Sequence, residues 1–334
     1  MIRLLRANYA RIFRSWYFQL GVVIFIIVNV VMPISTYRDM KKYPEYYTQD
    51  VIDLDEIPFE SEEERDEYIE YTIKETSHEG YMFDSGGLFF FIIPIIVGLF
   101  IGTDYSDGTI RNKLVVGHTR INLYLANLIT CISVSVLIYL AGIAASYITC
   151  LICFKNDVLS ASETFLFVIA GILITASWTA ICTLISMLLH SKAGSVVITL
   201  LIACFMAIFS VEIIYALTEP EFLDENVYML EESATIFEFS KPFEEMTEED
   251  FMDQGITPGE IDNLVSLKGE NPNVPHGVKR EIFKLVRDAS PGCQIQNLAD
   301  WQDEYNNKTI LWSSVIILLT TSAGIFVFRK QNLK

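Results

Sequence analysis

Two places in this 334-residue chain hold the residue types from which chemistry is made. The first is GTDYSDGTIRNKLVVGHTR, residues 102–120, where Asp104, Asp107, Arg111, Lys113 and Arg120 stand between two long apolar runs. The second is Glu212, the one carboxylate inside an apolar run; a charge at membrane depth is costly enough to mark a functional candidate by default. Neither place is a catalytic constellation. No Gly-x-x-x-x-Gly-Lys-Ser/Thr loop is present to cradle nucleotide phosphates, and no His-Glu-x-x-His pair to hold zinc. The histidines, at 78, 118, 190 and 276, are scattered through loops and span ends. Serines and threonines are frequent in the apolar runs, but none has an acid or base partner at a comparable depth, so they serve helix contacts. What remains is binding and the transfer of force. The chain is expected to hold no metal or cofactor of its own and to make or break no bond.

The elements that must position these residues are membrane helices. The chain is 51% hydrophobic with a mean hydropathy of +0.36, an average over apolar runs and very acidic stretches. Several runs reach the roughly 18–20 residues needed to cross a hydrocarbon core. Six spans are predicted, at 16–37, 86–102, 123–154, 164–189, 194–217 and 309–328. In lipid the backbone must satisfy itself, and the alternating strands of a barrel are absent, so each span is a helix. The predicted fold is therefore an all-α polytopic membrane protein. The first span is longer than the apolar core of a signal peptide and lacks a small-residue cleavage site, which makes it a retained helix. Pro94 should kink the second span. Small residues four apart, Gly98 and Gly102, Ala141 and Ala145, Gly142 and Ser146, are places where helix backbones can approach closely.

Orientation follows from the basic residues. Arg3, Arg6, Arg11 and Arg14, then Arg111, Lys113, Arg120, Lys192, Arg329, Lys330 and Lys334 all fall on one side, which places both termini in the cytoplasm. The segments 38–84 and 218–308 carry 37 of the 42 acids and 12 of the 24 basic residues, and are then extracellular. The chain's net charge of -18 arises from these segments, whose carboxylates form an outer coat and give no footing for nucleic acid. Five cysteines lie in or beside spans and only Cys293 is clearly outside, so no disulfide framework is implied; a Cys153–Cys293 bridge is conceivable, since both should lie on the outer side. Both acidic segments should be helical. Ser61 with Glu64, and Thr257 with Pro258 and Glu260, are helix starts, and helical patterns run from Gly277 to Ala289 and from Ile295 to Tyr305.

Residues 1–15 space Leu5, Tyr9, Ile12, Phe13 and Trp16 at helical intervals, with Arg3, Arg6 and Arg14 elsewhere. This amphipathic helix should lie in the inner interface, its arginines free for lipid phosphates or a cytoplasmic partner, or serve simply as a positive-inside anchor. The polar stretch itself, 103–121, offers Ser106 or Asp107 as a cap and Gly117 as a stop, with Ile110, Leu114 and Val115 facing one way. Such a helix either docks into a groove on another protein or rests on the membrane.

The segment DGTIRNKLVVGHTRINLYL resembles the first cytoplasmic loop of ATP-binding-cassette exporter permeases of type 2, the class shaped like the ABCG transporters. In that family an acid, a Gly-Thr pair, a basic residue and a later Thr-Arg are typical; the matching positions are Asp107, Gly108, Thr109, Arg111, Thr119 and Arg120. The family acid is commonly glutamate, and here it is aspartate. The likeness extends to the amino-terminal helix, the six spans and the large insertion at 218–308, whereas the long segment after the first span is less typical. The resemblance implies a plasma-membrane permease, bacterial in kind, that pairs with a second permease as homodimer or heterodimer. It also implies a separate cytoplasmic ATPase chain that binds ATP and magnesium. Asp104, Asp107, Gly108, Thr109, Arg111 and Arg120 would then couple the permease to that ATPase, and Glu212 would stand on the substrate path. The alternative reading is a six-span sensor whose acidic outer segments bind a ligand.

Overall fold

The computed structural model describes residues 1–42, 86–154, 161–218, 277–299 and 306–330, together with parts of 221–276. The helix expected from Ser61 in the first acidic segment lies outside the described residues.

The first of two compact units comprises Met1–Ser210 and Asp288–Lys334. It opens with α1 (Ile2–Phe13), followed by the long α2 (Trp16–Lys42). Then come α3 (Gly86–Ser106), the short α4 (Thr109–Val115), α5 (Arg120–Phe154), α6 (Ala161–Leu189) and α7 (Lys192–Thr218), the last of which runs on into the second unit. The chain closes with α9 (Pro291–Ala299) and α10 (Asn306–Lys330), after α8 (Gly277–Ala289) has brought it back from the second unit. Six of these helices, α2, α3, α5, α6, α7 and α10, are long and apolar enough to cross a membrane, as the apolar runs predict. The observed helices exceed the predicted spans at their ends because helix geometry continues past the hydrocarbon, for example to Lys42 after the first span and Ser106 after the second.

Helix α6 is the hub, packing against α10, α5, α3 and α9. Trp178 at its middle is fully buried, stacks on Phe90 with ring centroids 4.2 Å apart, and donates its indole N–H to the Phe90 carbonyl at 3.0 Å. That carbonyl lies four residues before Pro94, whose missing N–H would otherwise leave it unpaired within α3. The Gly98 and Gly102 pair forms the seam between α3 and α7. A Cβ on Gly102 would lie 2.5 Å from Lys192 Cα, and one on Gly98 3.1 Å from Val196 Cα, so only glycine lets the two backbones meet there. Gly142 is likewise filled by the Phe25 ring of α2. Helix α9 is sunk among the spans. Gly292 lies against the Met206 carbonyl of α7, Gln294 accepts from Ser313 of α10 at 2.9 Å, and Cys293 and Leu298 are buried. The cysteines form no disulfide, so the Cys153–Cys293 pairing is not made.

The described residues of the second unit, Val211–Arg287, contain the end of α7, most of α8 and five short strands. Strand β1 (Phe222–Leu223) pairs antiparallel with β5 (Gly269–Glu270). Strand β2 (Val227–Leu230) is central to an antiparallel sheet with β3 (Thr235–Glu238) and β4 (Leu264–Ser266). The helix start predicted at Thr257, Pro258 and Glu260 lies outside the described residues. After a 3-10 turn at Ile261–Asn263 the chain becomes β4, whose Val265 faces Met229 of β2 in register. The helix predicted over Gly277–Ala289 is present with those bounds, and the one after it begins at Pro291 rather than Ile295.

Candidate functional site

The polar stretch is built in two parts. Helix α3 runs through Thr103 and Asp104 to Ser106, so the first residues of the stretch belong to a spanning helix. The chain then breaks at Gly108, whose φ of 66° is left-handed, a conformation glycine adopts without penalty. Neither Ser106 nor Asp107 caps α4; instead Ser106 Oγ donates to Asp107 Oδ1 at 3.1 Å and Gly108 is the N-cap. Gly117 stops the helix as expected. With φ at 99°, it donates to the Leu114 carbonyl at 3.0 Å while His118 donates to that of Lys113 at 3.2 Å, closing a Schellman turn. Thr119 Oγ1 then accepts from the Asn122 amide at 3.3 Å and caps α5. Arg120 follows, its guanidinium donating to the Phe328 carbonyl in the last turn of α10 at 3.5 Å, where a cation is favoured.

Helix α4 has only seven residues, and its inward side is narrower than the predicted stripe. Ile110 is buried and Leu114 packs against the core, but Val115 is 80% exposed. One residue past Leu114 rotates a side chain by about 100°. Val116 is exposed too, as are Asp107, Arg111 and Asn112. The free edge of α4 thus carries one acid, one base, an amide and two valines. Thr109 is half-buried at the start of the helix.

What holds α4 is a buried polar cluster. Asp104, expected as a contact for another protein, is fully buried instead. Its carboxylate is paired by Arg11 of α1, whose Nη2 donates to Oδ2 at 2.9 Å and whose Nη1 meets Oδ1. Lys113 of α4 donates to the same Oδ2 at 3.2 Å and to Asn8 Oδ1 at 3.1 Å. Asn8 in turn donates to Asn127 Oδ1 of α5 at 2.8 Å, and Asn127 reaches the Met187 sulfur of α6 at 3.8 Å. The Arg11 guanidinium also lies 4.2 Å from the centre of the Phe100 ring. Two cations share one carboxylate, so the second is in excess. Burial, and then repulsion from Arg11, push Lys113 down to about 8.

Against the spans α1 buries Leu4, Asn8 and Ile12, the row beside its aromatic one, because Asn8 and Arg11 have partners there. Tyr9 keeps an inward role through a 2.6 Å hydrogen bond with Ser133, while Phe13 and Trp16 are exposed. Sequence reading missed Asn8, Lys113 and Asn127 as members of the site. Asn127, a polar residue inside a span, accepts from Asn8 of α1. Glu212 is exposed on α7, one turn from Ile208 and Tyr215, which are 69% exposed each.

Six helices long and apolar enough to cross a membrane, an amino-terminal helix tied to them by buried polar groups, and a short helix between the second and third of them define a polytopic membrane protein. The chain belongs to the ABC-2 family of transporter proteins, whose family model matches residues 4–333. No curated protein and no solved structure matches it. It is thus a membrane transport component of an ABC transporter, in a family that generally works with a cytoplasmic ATPase.

Proposed function

We propose that the chain is the permease subunit of an ABC exporter and that the exposed edge of α4 docks a separate ATPase chain. The observation that carries this is the division of labour within α4. Ile110, Leu114 and Lys113 tie it to the spans, while Asp107, Arg111, Asn112, Val115 and Val116 face outward with both charge signs and apolar surface. A helix only resting on lipid would gather its apolar side chains on one face, toward the lipid, and its charges on the other; here Asp107, Arg111, Val115 and Val116 share one edge.

In this reading the end of the bundle bearing α1, α4 and both termini is cytoplasmic, as its arginines and lysines require. ATP with magnesium, bound by the ATPase chains, draws those chains together. Helix α4 moves with its ATPase, and the Asp104 cluster passes the displacement to α1, α3 and α5. A nucleotide can shift only an equilibrium between states it binds unequally, so the stiffness of this joint sets how much of the ATPase movement reaches the spans. A second permease, identical or related, completes the pathway. The face of α7 bearing Phe205, Ile208, Glu212 and Tyr215 borders it, since a carboxylate among exposed apolar side chains is costly against lipid and accommodated beside a partner or a hydrated path.

Co-purification tests the proposal. The chain isolated in mild detergent from its native host should bring down an ATPase chain, and a Val115→Asp/Val116→Asp variant should lose it while keeping its membrane content. Retention of the ATPase by that variant would remove α4 from the interface.

A further inference from the structure

A thiol inside a span is by default a small apolar side chain, and four of the cysteines fit that reading. Cys131, Cys182 and Cys293 are buried, and Cys204 is exposed with no second cysteine on α7. Cys150 and Cys153 differ. They stand three residues apart at the end of α5, so their side chains lie about 60° apart around the axis. Leu151 and Ile152, between them in sequence, are exposed on the other side of the helix. Cys150 is buried and Cys153 half-buried, so the pair is anchored in the bundle at one thiol and open at the other. Ser146, one turn earlier and also buried, sets its hydroxyl against the Cys150 thiol.

Distance and charge decide what such a pair can hold. Side chains three apart on a helix have Cβ atoms about 5–6 Å apart, whereas a disulfide needs about 3.5–4.5 Å. Direct closure would have to draw the turn in by about 1–2 Å, and both thiols are free. One atom between the sulfurs lengthens the link by a bond and removes that demand. Two sulfur ligands select a soft acceptor. Zinc closes its shell with four ligands, and among the described residues no group of three His, Cys, Asp or Glu is placed to supply them. Two thiolates on a monovalent ion would leave a net negative charge in apolar surroundings, which is costly without a partner. A trivalent metalloid hydroxide avoids that cost. Each thiol proton leaves with one hydroxyl as water, two As–S bonds replace two As–OH bonds, arsenic stays trivalent, and the product is uncharged.

We propose that Cys150 and Cys153 form a dithiol site for trivalent arsenic at the end of α5 remote from α4. The more open Cys153 makes the first bond, and Cys150 closes the bridge, which staples the last turns of the helix. Both residues belong to the first compact unit, and the site depends neither on the ATPase partner nor on the path assigned to the substrate.

The test treats the full chain, reduced and purified in mild detergent, with phenylarsine oxide and reads the adduct by intact mass. The native chain should take up one phenylarsenical, keep it in excess glutathione and release it to dimercaptopropanol. Cys150→Ser and Cys153→Ser should each retain the adduct against glutathione roughly a hundredfold less well, because the second bond is no longer made within one molecule. Cys204→Ser should behave as the native chain. Cys153 is only half-buried, so Cys153→Ser keeps the fold, which gel filtration checks; in Cys150→Ser, labelling of Cys153 by a maleimide at the native rate does the same. A glutathione-resistant adduct in either serine variant, or none in the native chain, would overturn the proposal. So would isolation of the chain from its host membrane with a Cys150–Cys153 disulfide, since the closed pair leaves no thiol for arsenic.

Discussion

Replacing Asp104 by asparagine keeps the shape of the side chain and removes the one negative charge that Arg11 and Lys113 share. The carboxylate is fully buried, and the Lys113 and Arg11 side chains are 14% and 31% exposed. Removing one partner of a buried ion pair typically costs about 3–5 kcal/mol, because the remaining charge is left without compensation. Here two cations remain, 2.9 and 3.2 Å from the substituted group. The cost falls on the docking of α1 and α4, not on the spans. Hydrogen exchange of the purified permease reads this directly: amides of residues 2–13 should lose protection by roughly a hundred- to several-thousand-fold, the equivalent of that free energy, while α6 is unchanged. Adding Lys113→Met and Arg11→Met to Asp104→Asn should restore part of the protection, since coupling in a shared network is non-additive. Unchanged protection of α1 in Asp104→Asn alone would refute the reasoning that the cluster is a clamp.

Lys113 makes the clamp pH-dependent. Its pKa is lowered to about 8, so the folded chain releases this proton before the unfolded chain does. The cost of holding the charge is full below pH 8 and is relieved as pH rises from about 8 toward 10.5. Asp104 and Arg11 are the charged groups that face it. Thermal stability should rise across that window in the native chain, and a Lys113→Met variant should lose this rise. Gly102→Ala would set a Cβ 2.5 Å from Lys192 Cα and should cost about 1–3 kcal/mol, seen as a lower melting temperature in detergent. Trp178→Phe removes a 3.0 Å hydrogen bond to the Phe90 carbonyl and should cost about 1–3 kcal/mol by the same measurement, with the ring stacking largely kept.

The spans were legible because burial in lipid imposes length and apolarity on contiguous residues, a signal no other constraint imitates. Local backbone devices were legible too. Gly117 as a stop and the close approach at Gly98 and Gly102 follow from residues whose chemistry permits little else. The polar cluster was not. Asp104 beside a span end reads as a residue at the water boundary, and nothing near it in sequence discloses that its cation is Arg11, 93 residues earlier, or that Asn8 is matched by Asn127, 119 residues later. The amphipathic pattern of α1 showed that one face is buried, but aromatic and aliphatic residues on adjacent rows left the rotation open; a hydrogen bond decided it. The strands after α7 were missed because Leu264–Ser266 is too short for alternation to register, and its pairing with β2 is set by residues more than thirty positions away.

The central claim is that α4 is the joint through which nucleotide turnover moves the spans. The direct measurement is ATP hydrolysis by the reconstituted ATPase and permease complex, with Asp107→Ala, Gly108→Ala and Arg111→Ala combined in the permease. Asp107 and Arg111 are exposed and a Cβ at Gly108 meets nothing within 4 Å, so the strain of alanine at φ 66° stays at the start of α4 and insertion of the spans should persist. The account predicts that stimulation of ATPase activity by the permease is lost. Stimulation equal to that given by the native chain would contradict it.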